Sequence, residues 1–238
     1  MPVVPPTPSA GLVQFLRMIA GYNTTIWPLQ LVAYALGVAV VILALWRPRR
    51  SDPLISIILA VFCLWVGVVF NATYFARGSR MAVALAVLFV IEAVILVWSG
   101  AVSRRLLFRV RADAYGVVGG VLVFYAMVGY LGLEYLLGRG YPRSLPFGLV
   151  PCPTVIFTLG VLLWSRPRLP KSVLVIPAVY ALTGVAPVSK GIVEDVGLVV
   201  AGVVVTIMIV LRDRPGELTA RAGGNLVRRA RVAPEGTS

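Results

Sequence analysis

The apolar residues of this chain come in runs about as long as a bilayer is thick, and that limits the folds open to it. A helix needs about 20 largely apolar residues to cross about 30 Å of hydrocarbon. Runs of this kind stand at 25–46, 53–75, 81–102, 114–137 and 193–211, with two shorter ones at 149–165 and 172–188. Only 13% of the 238 residues are charged, against about 25% in soluble domains. Mean hydropathy is +0.93. The expectation is an all-α, polytopic membrane protein with seven transmembrane helices. It has three parts: an extracytoplasmic segment over 1–24, a helical domain over 25–211 and a basic tail, expected to be disordered, over 212–238.

The net charge of +13 could point to nucleic acid, but its distribution does not. The loops after the first, third and fifth runs, together with the tail, hold sixteen of the 22 Lys and Arg residues. The N-terminal segment and the alternate loops hold six. Positive excess marks the cytoplasmic side, so the N-terminus is expected outside and the C-terminus inside, in a cell membrane. The partners expected are membrane lipids, with anionic headgroups at the basic tail. No nucleic acid is expected; a homo-oligomer or larger membrane complex is left open. The stretch "GLVQFLRMIA" puts Leu12, Phe15, Leu16 and Ile19 on one helical face. It reads either as a helix lying in the interface or as a cap packed on the bundle.

Two stretches are alike, "GVAVVILALWRPRRSDPLISIILAV" (37–61) and "GVLLWSRPRLPKSVLVIPAVYAL" (160–182). Each passes from one run through Trp and an Arg-Pro-Arg hinge into the next. One reading is a 3+1+3 parallel repeat of the kind found in small-molecule transporters. The other is that basic, proline-bearing turns recur at a cytoplasmic face. Gly116 with Gly120, and Gly197 with Ala201, are spaced for close helix approach.

Polar side chains at membrane depth are costly and mark sites. On the expected topology most of them gather in the outer half. Glu92, about 17 Å below the surface at 1.5 Å per residue, is their floor. The candidate ligand-binding residues are Gln30, Asn71, Glu92, Tyr125, Glu134, Cys152, Glu194 and Asp195, around an outward-facing polar cavity. Each also has a purely structural reading: Glu134 and Asn71 as caps, Gln30 bonding backbone across helices, and Glu194 and Asp195 complementing a helix dipole. Lys190 is placed to pair with either of those two acids.

Cys152 stands between two prolines. Soft metals need two or more sulfur or nitrogen ligands, and only Cys63, at another depth, could join it; no metal or cofactor is expected. Pro151 and Pro153 suit a helix start, with Thr154 helping to cap it. The chain has no His, and no nucleophile–base pair is recognisable. An intramembrane enzyme therefore ranks below a transporter-like protein, or a non-catalytic accessory subunit of a membrane complex. Outer polar groups within about 4 Å of one another would favour a site; groups pointing apart would favour the subunit.

The segments "QFLRMIAGYNTTIWPLQ", "GYPRSLPFGLVPCPTVIFTLG" and "EDVGLVVAG" together resemble a prokaryotic family of multi-pass membrane proteins, the domain-of-unknown-function family numbered 6064. The resemblance runs over about residues 13–205. It rests on Tyr22, Asn23, Trp27, Pro28 and Gln30, on Tyr141, Pro142 and Pro151 to Thr154, and on Asp195, Gly197 and Leu198. Within it, Asn23, Trp27, Pro28, Pro151, Pro153 and Thr154 read as structural. The chain departs from the family pattern at Arg139, where many members carry His, and at Glu92, where Gln is common. The resemblance implies no activity.

Overall fold

The structure is a computed structural model that describes residues 10–75, 80–166, 169–189 and 192–213. Lys190, Arg168 of the second Arg-Pro-Arg hinge and the tail beyond Asp213 lie outside the described residues. The described chain forms eight helices and no named strand. The first is α1, Ala10–Thr25. The next four are α2, Leu29–Trp46; α3, Ser51–Phe75; α4, Arg80–Val102; and α5, Ala114–Leu136. The last three are α6, Pro151–Leu163; α7, Lys171–Ser189; and α8, Val193–Arg212. All but α1 and α6 are long and apolar enough to cross a membrane. The chain is thus a multi-pass helical membrane protein.

Five of the expected runs match these helices to within a few residues at each end, and the sixth run, 172–188, corresponds to α7. The fifth run does not persist at its expected length. Instead of 149–165, the helix covers 13 residues, and every one of them is buried. The cause lies in its neighbours: α6 is the hub of the bundle, packed against α5, α7, α8 and α3. A helix apolar on all sides is a core helix. Its approach is irregular chain, and residues 144–150 are all buried as well. Non-helical backbone is tolerated at membrane depth only where protein surrounds it, which is the case here. α2, by contrast, packs mainly on α3 at the periphery, so the two halves of the proposed repeat are packed differently.

The close approach of α5 to α6 also differs from the expected spacing. A Cβ on Gly120 would meet nothing within 4 Å, whereas one on Gly160 would lie 2.9 Å from the Gly119 carbonyl. Gly119 of α5 and Gly160 of α6 therefore make the backbone contact, and Gly120 does not. Gly197 does face a partner: its bare Cα accommodates the Tyr125 ring.

Helix α1 is docked on the bundle. Ile19 and Tyr22 are fully buried, and the Tyr22 ring packs edge-on to Phe70 and Tyr74 at 5.3 and 4.9 Å. The Tyr22 hydroxyl donates to the Leu149 carbonyl and accepts from the Trp65 indole, each at 2.8 Å. Burial holds this phenol well above its ordinary pKa, so it stays a neutral donor. Tyr22→Phe should leave a buried carbonyl and a buried N–H unpaired, at a cost of about 1–3 kcal/mol. A fall of several degrees in the melting temperature of detergent-purified protein is the expected result.

At the opposite end of the bundle the chain is equally well tied. Arg212, counted with the basic tail on sequence grounds, is fully buried at the end of α8. It donates from Nη1 to the Ser165 carbonyl at 2.8 Å and from Nε to Asp213 at 2.9 Å. Asp52 Oδ1 accepts the Phe108 N–H at 2.8 Å, fixing the loop between α4 and α5 against the start of α3.

Candidate functional site

Four segments bring polar side chains to one place near the α1 end of an otherwise apolar bundle. The start of α8 contributes Glu194 and Asp195, which are 0% and 1% exposed. α5 contributes Tyr125, Tyr130 and Glu134, α6 contributes Cys152, and α7 contributes Tyr180. Asp195 is the centre. The Tyr130 hydroxyl donates to Oδ1 at 2.6 Å and the Cys152 thiol donates to Oδ2 at 3.4 Å. The Tyr180 hydroxyl lies 3.7 Å from the Cys152 sulfur, and its ring packs on Phe89 of α4 at 5.1 Å.

A second acid stands beside the first. Glu194 forms an ion pair with Arg139, which lies in the loop after α5, and the Glu194 main-chain carbonyl accepts from the Tyr125 hydroxyl at 2.9 Å. The Arg139 side chain keeps 12% exposure while that of Glu194 has none, so Arg139 is the partner facing outward. Glu134 is the third acid, within electrostatic reach of Arg139, Glu194 and Asp195. Its two oxygens accept the Leu145 N–H at 3.1 and 2.8 Å, which ties the buried 144–150 segment to α5.

Local structure explains the placement. Val150 is extended, Pro151 opens α6, and the Thr154 hydroxyl donates back to the Val150 carbonyl at 2.6 Å. A proline at the first helical position loses no intrahelical bond, so Cys152 is presented within the first turn, toward α8. In α5, a π-helical stretch over Tyr125–Gly129 rephases the helix. Tyr125 and Tyr130, five apart, then share a face with their rings 6.1 Å apart.

The remaining candidates divide. Gln30 and Asn23 belong to a latch above the site: Asn23 Nδ2 donates to the carbonyls of Pro142 and Ser144 at 2.7 Å each, and Gln30 donates to the Asn23 carbonyl at 2.9 Å. Trp27 and Tyr141 face each other at 6.3 Å, each followed by a cis proline, Pro28 and Pro142. Among the described residues, Asn71 bonds within its own helix, to the Val66 carbonyl at 2.9 Å. Glu92 lies deeper, beside Cys63, with both oxygens buried and unpartnered among the described residues. The structure therefore gathers Tyr125, Glu134, Cys152, Glu194 and Asp195 in one cluster, and leaves Asn71 and Glu92 outside it.

Three members of the cluster were not candidates on sequence grounds. Tyr130 had a readable signal, since it stands four residues before Glu134 on the same face. Tyr180 and Arg139 had none, because their partners are 28 and 55 residues away. Among the described residues no three His, Cys, Asp or Glu side chains are grouped to hold a metal ion.

An all-helical bundle with six membrane-length helices and a buried polar cluster defines a polytopic membrane protein. A family model matches residues 12–220, most of the chain. The protein belongs to this family, described as the family of unknown function DUF6064. No curated protein and no solved structure matches it. The segments that carried the resemblance meet in space: Tyr22 on Leu149, Asn23 on Pro142 and Cys152 on Asp195.

Proposed function

We propose that this chain is a transporter-like, ligand-binding protein of the cell membrane, with its site at Asp195 opening toward the outside. The observation that carries the reading is convergence. Ionisable side chains from α5, its following loop, α6 and α8 lie within bonding distance of one another inside an apolar bundle. Such groups at membrane depth are expensive to keep and mark ligand or ion pathways. The same reading takes α6 with its buried approach as a seventh crossing, which places the N-terminus outside and the basic loops and tail inside, next to anionic lipid.

The cluster sets three carboxyl groups against one guanidinium among the described residues. That balance favours a small cation or a ligand rich in hydrogen-bond donors. In this reading the Arg139–Glu194 pair, with Arg139 its outward-facing member, is the contact that such a ligand must part. Thermal unfolding of the purified protein across a panel of alkali cations, small amines and polyols tests this. At least one ligand should raise the melting temperature of the native chain and not that of Asp195→Asn, as mass action requires. No shift with any ligand, together with co-purification of a stoichiometric partner, would instead make the chain an accessory subunit.

A further inference from the structure

The other end of the bundle holds a second feature, unrelated to the Asp195 cluster. A cavity of about 520 Å³ opens between the α2–α3 turn and the irregular chain after α4, walled by Arg49, Arg50, Arg104, Asp52, Gly100 and Leu106. Its three arginines are exposed and form no ion pair among the described residues. The one carboxylate in the wall, Asp52, is engaged through Oδ1 by the Phe108 N–H. Arg104 is held in place by an unusual backbone: its φ is +49°, in the left-handed region that side-chain-bearing residues rarely occupy. The turn is fixed by the N–H groups of Arg105 and Leu106, which both donate to the Ser99 carbonyl at 2.8 and 3.2 Å.

A separate apolar groove of about 340 Å³ lies on the outer face between α3 and α4, lined by Ile57, Val61, Leu64, Val90, Val94 and Trp98 among others. The two features lie on one stripe. Pro53 of the cavity and Ile57, Val61 and Leu64 of the groove are spaced four, four and three residues apart on α3, which is a single helical face. Trp98 is 64% exposed, as interfacial tryptophans are. A cationic cup at the end of a lipid-facing apolar groove has the charge and the length of one kind of molecule.

We infer that this cup and groove form a binding site for an anionic glycerophospholipid, with its phosphate between Arg49, Arg50 and Arg104 and one acyl chain along α3 and α4. Arginine forks match phosphate oxygens in geometry as well as charge. The basic end of the bundle is also the side on which the positive-inside rule places the anionic leaflet. The inference needs only that the helices cross a membrane, and stands whether or not Asp195 binds a ligand.

The test is lipid titration of the detergent-purified full chain, read by native mass spectrometry, with dioleoyl phosphatidylglycerol against dioleoyl phosphatidylcholine. The anionic lipid should bind about tenfold tighter. Arg49→Gln with Arg50→Gln and Arg104→Gln should abolish the preference. The pair Arg49→Gln and Arg50→Gln alone, which leaves the Arg104 turn untouched, should remove most of it at an unchanged melting temperature. Arg17→Gln, an exposed arginine on α1, should change nothing, and Val94→Trp, which fills the groove, should weaken the anionic lipid several-fold. A preference retained by the double and triple variants would overturn the proposal, as would an equal loss with Arg17→Gln. Displacement of the lipid by millimolar inorganic phosphate or glycerol phosphate, with Val94→Trp without effect, would make the cup a site for free phosphoesters and overturn the lipid assignment.

Discussion

Arg139→Met is expected to destabilise the protein by about 3–5 kcal/mol, among the largest effects of any single substitution. The reason is what the substitution leaves behind. The Glu194 side chain is fully buried, one of its oxygens has no partner among the described residues, and Arg139 is its ion-pair partner. Removing the cation strands a charge in a low-dielectric bundle, which costs far more than an intact pair contributes. The double variant Arg139→Met with Glu194→Leu removes both charges and should recover most of the loss. Denaturant or thermal unfolding of the four proteins of this cycle in one detergent measures the coupling directly. Arg143→Gln, a neighbouring exposed arginine, should shift stability by no more than about 0.5 kcal/mol. A double variant as unstable as the single one would show that Arg139 acts through packing and not through Glu194.

The second large effect is expected at Phe147, in the buried segment that leads into α6. Its ring meets Phe157 at 4.7 Å, Phe62 at 5.4 Å and Tyr34 at 5.5 Å, all edge-on. It also fills the space beside Gly37, where a Cβ would fall 2.5 Å from Phe147 Cε1. Phe147→Ala should cost about 3–5 kcal/mol through the cavity it opens, with lost aromatic contacts adding to the loss of packing. Phe147→Leu should cost clearly less. The same substitution should reach the candidate site, since Leu145 and Leu149 on either side hold Glu134 and Tyr22. Ligand-induced stabilisation should therefore weaken in Phe147→Ala more than in an equally destabilised variant of α2, and an equal weakening would separate the loop from the site.

These two residues also show how much of the molecule could be read from its sequence. The six long helices were legible because membrane thickness sets a length that composition alone can satisfy. That polar residues gather toward one end of the helices was legible from depth, and the structure brings Glu134, Cys152, Glu194 and Asp195 together there. Phe147 was not legible, because an aromatic in a Pro- and Gly-rich stretch carries no period to place it. Nor was the length of α6, since a helix buried all round offers no contrast between faces. Glu92 drew attention as a lone acid at mid-depth, yet its neighbour is Cys63 on α3, and α3–α4 packing decides that, not spacing. The tyrosine pair of α5 was hidden for another reason: the π-helical stretch changes which residues share a face, and periodicity assumes it does not.

The shortness of α6 has a consequence for how the protein is made. Thirteen residues rise about 20 Å as a helix, against about 30 Å of hydrocarbon. On its own such a segment cannot satisfy a bilayer, and the irregular chain before it would expose bare peptide groups to lipid. Helices α2 to α5 can each enter the membrane as they emerge from the ribosome, but α6 can settle only against partners. Two of these, α7 and α8, are synthesised after it. Chains truncated before α7 should therefore leave Cys152 accessible to impermeant thiol reagents, whereas the complete chain should protect it. The central helix of the bundle is then among the last to find its place.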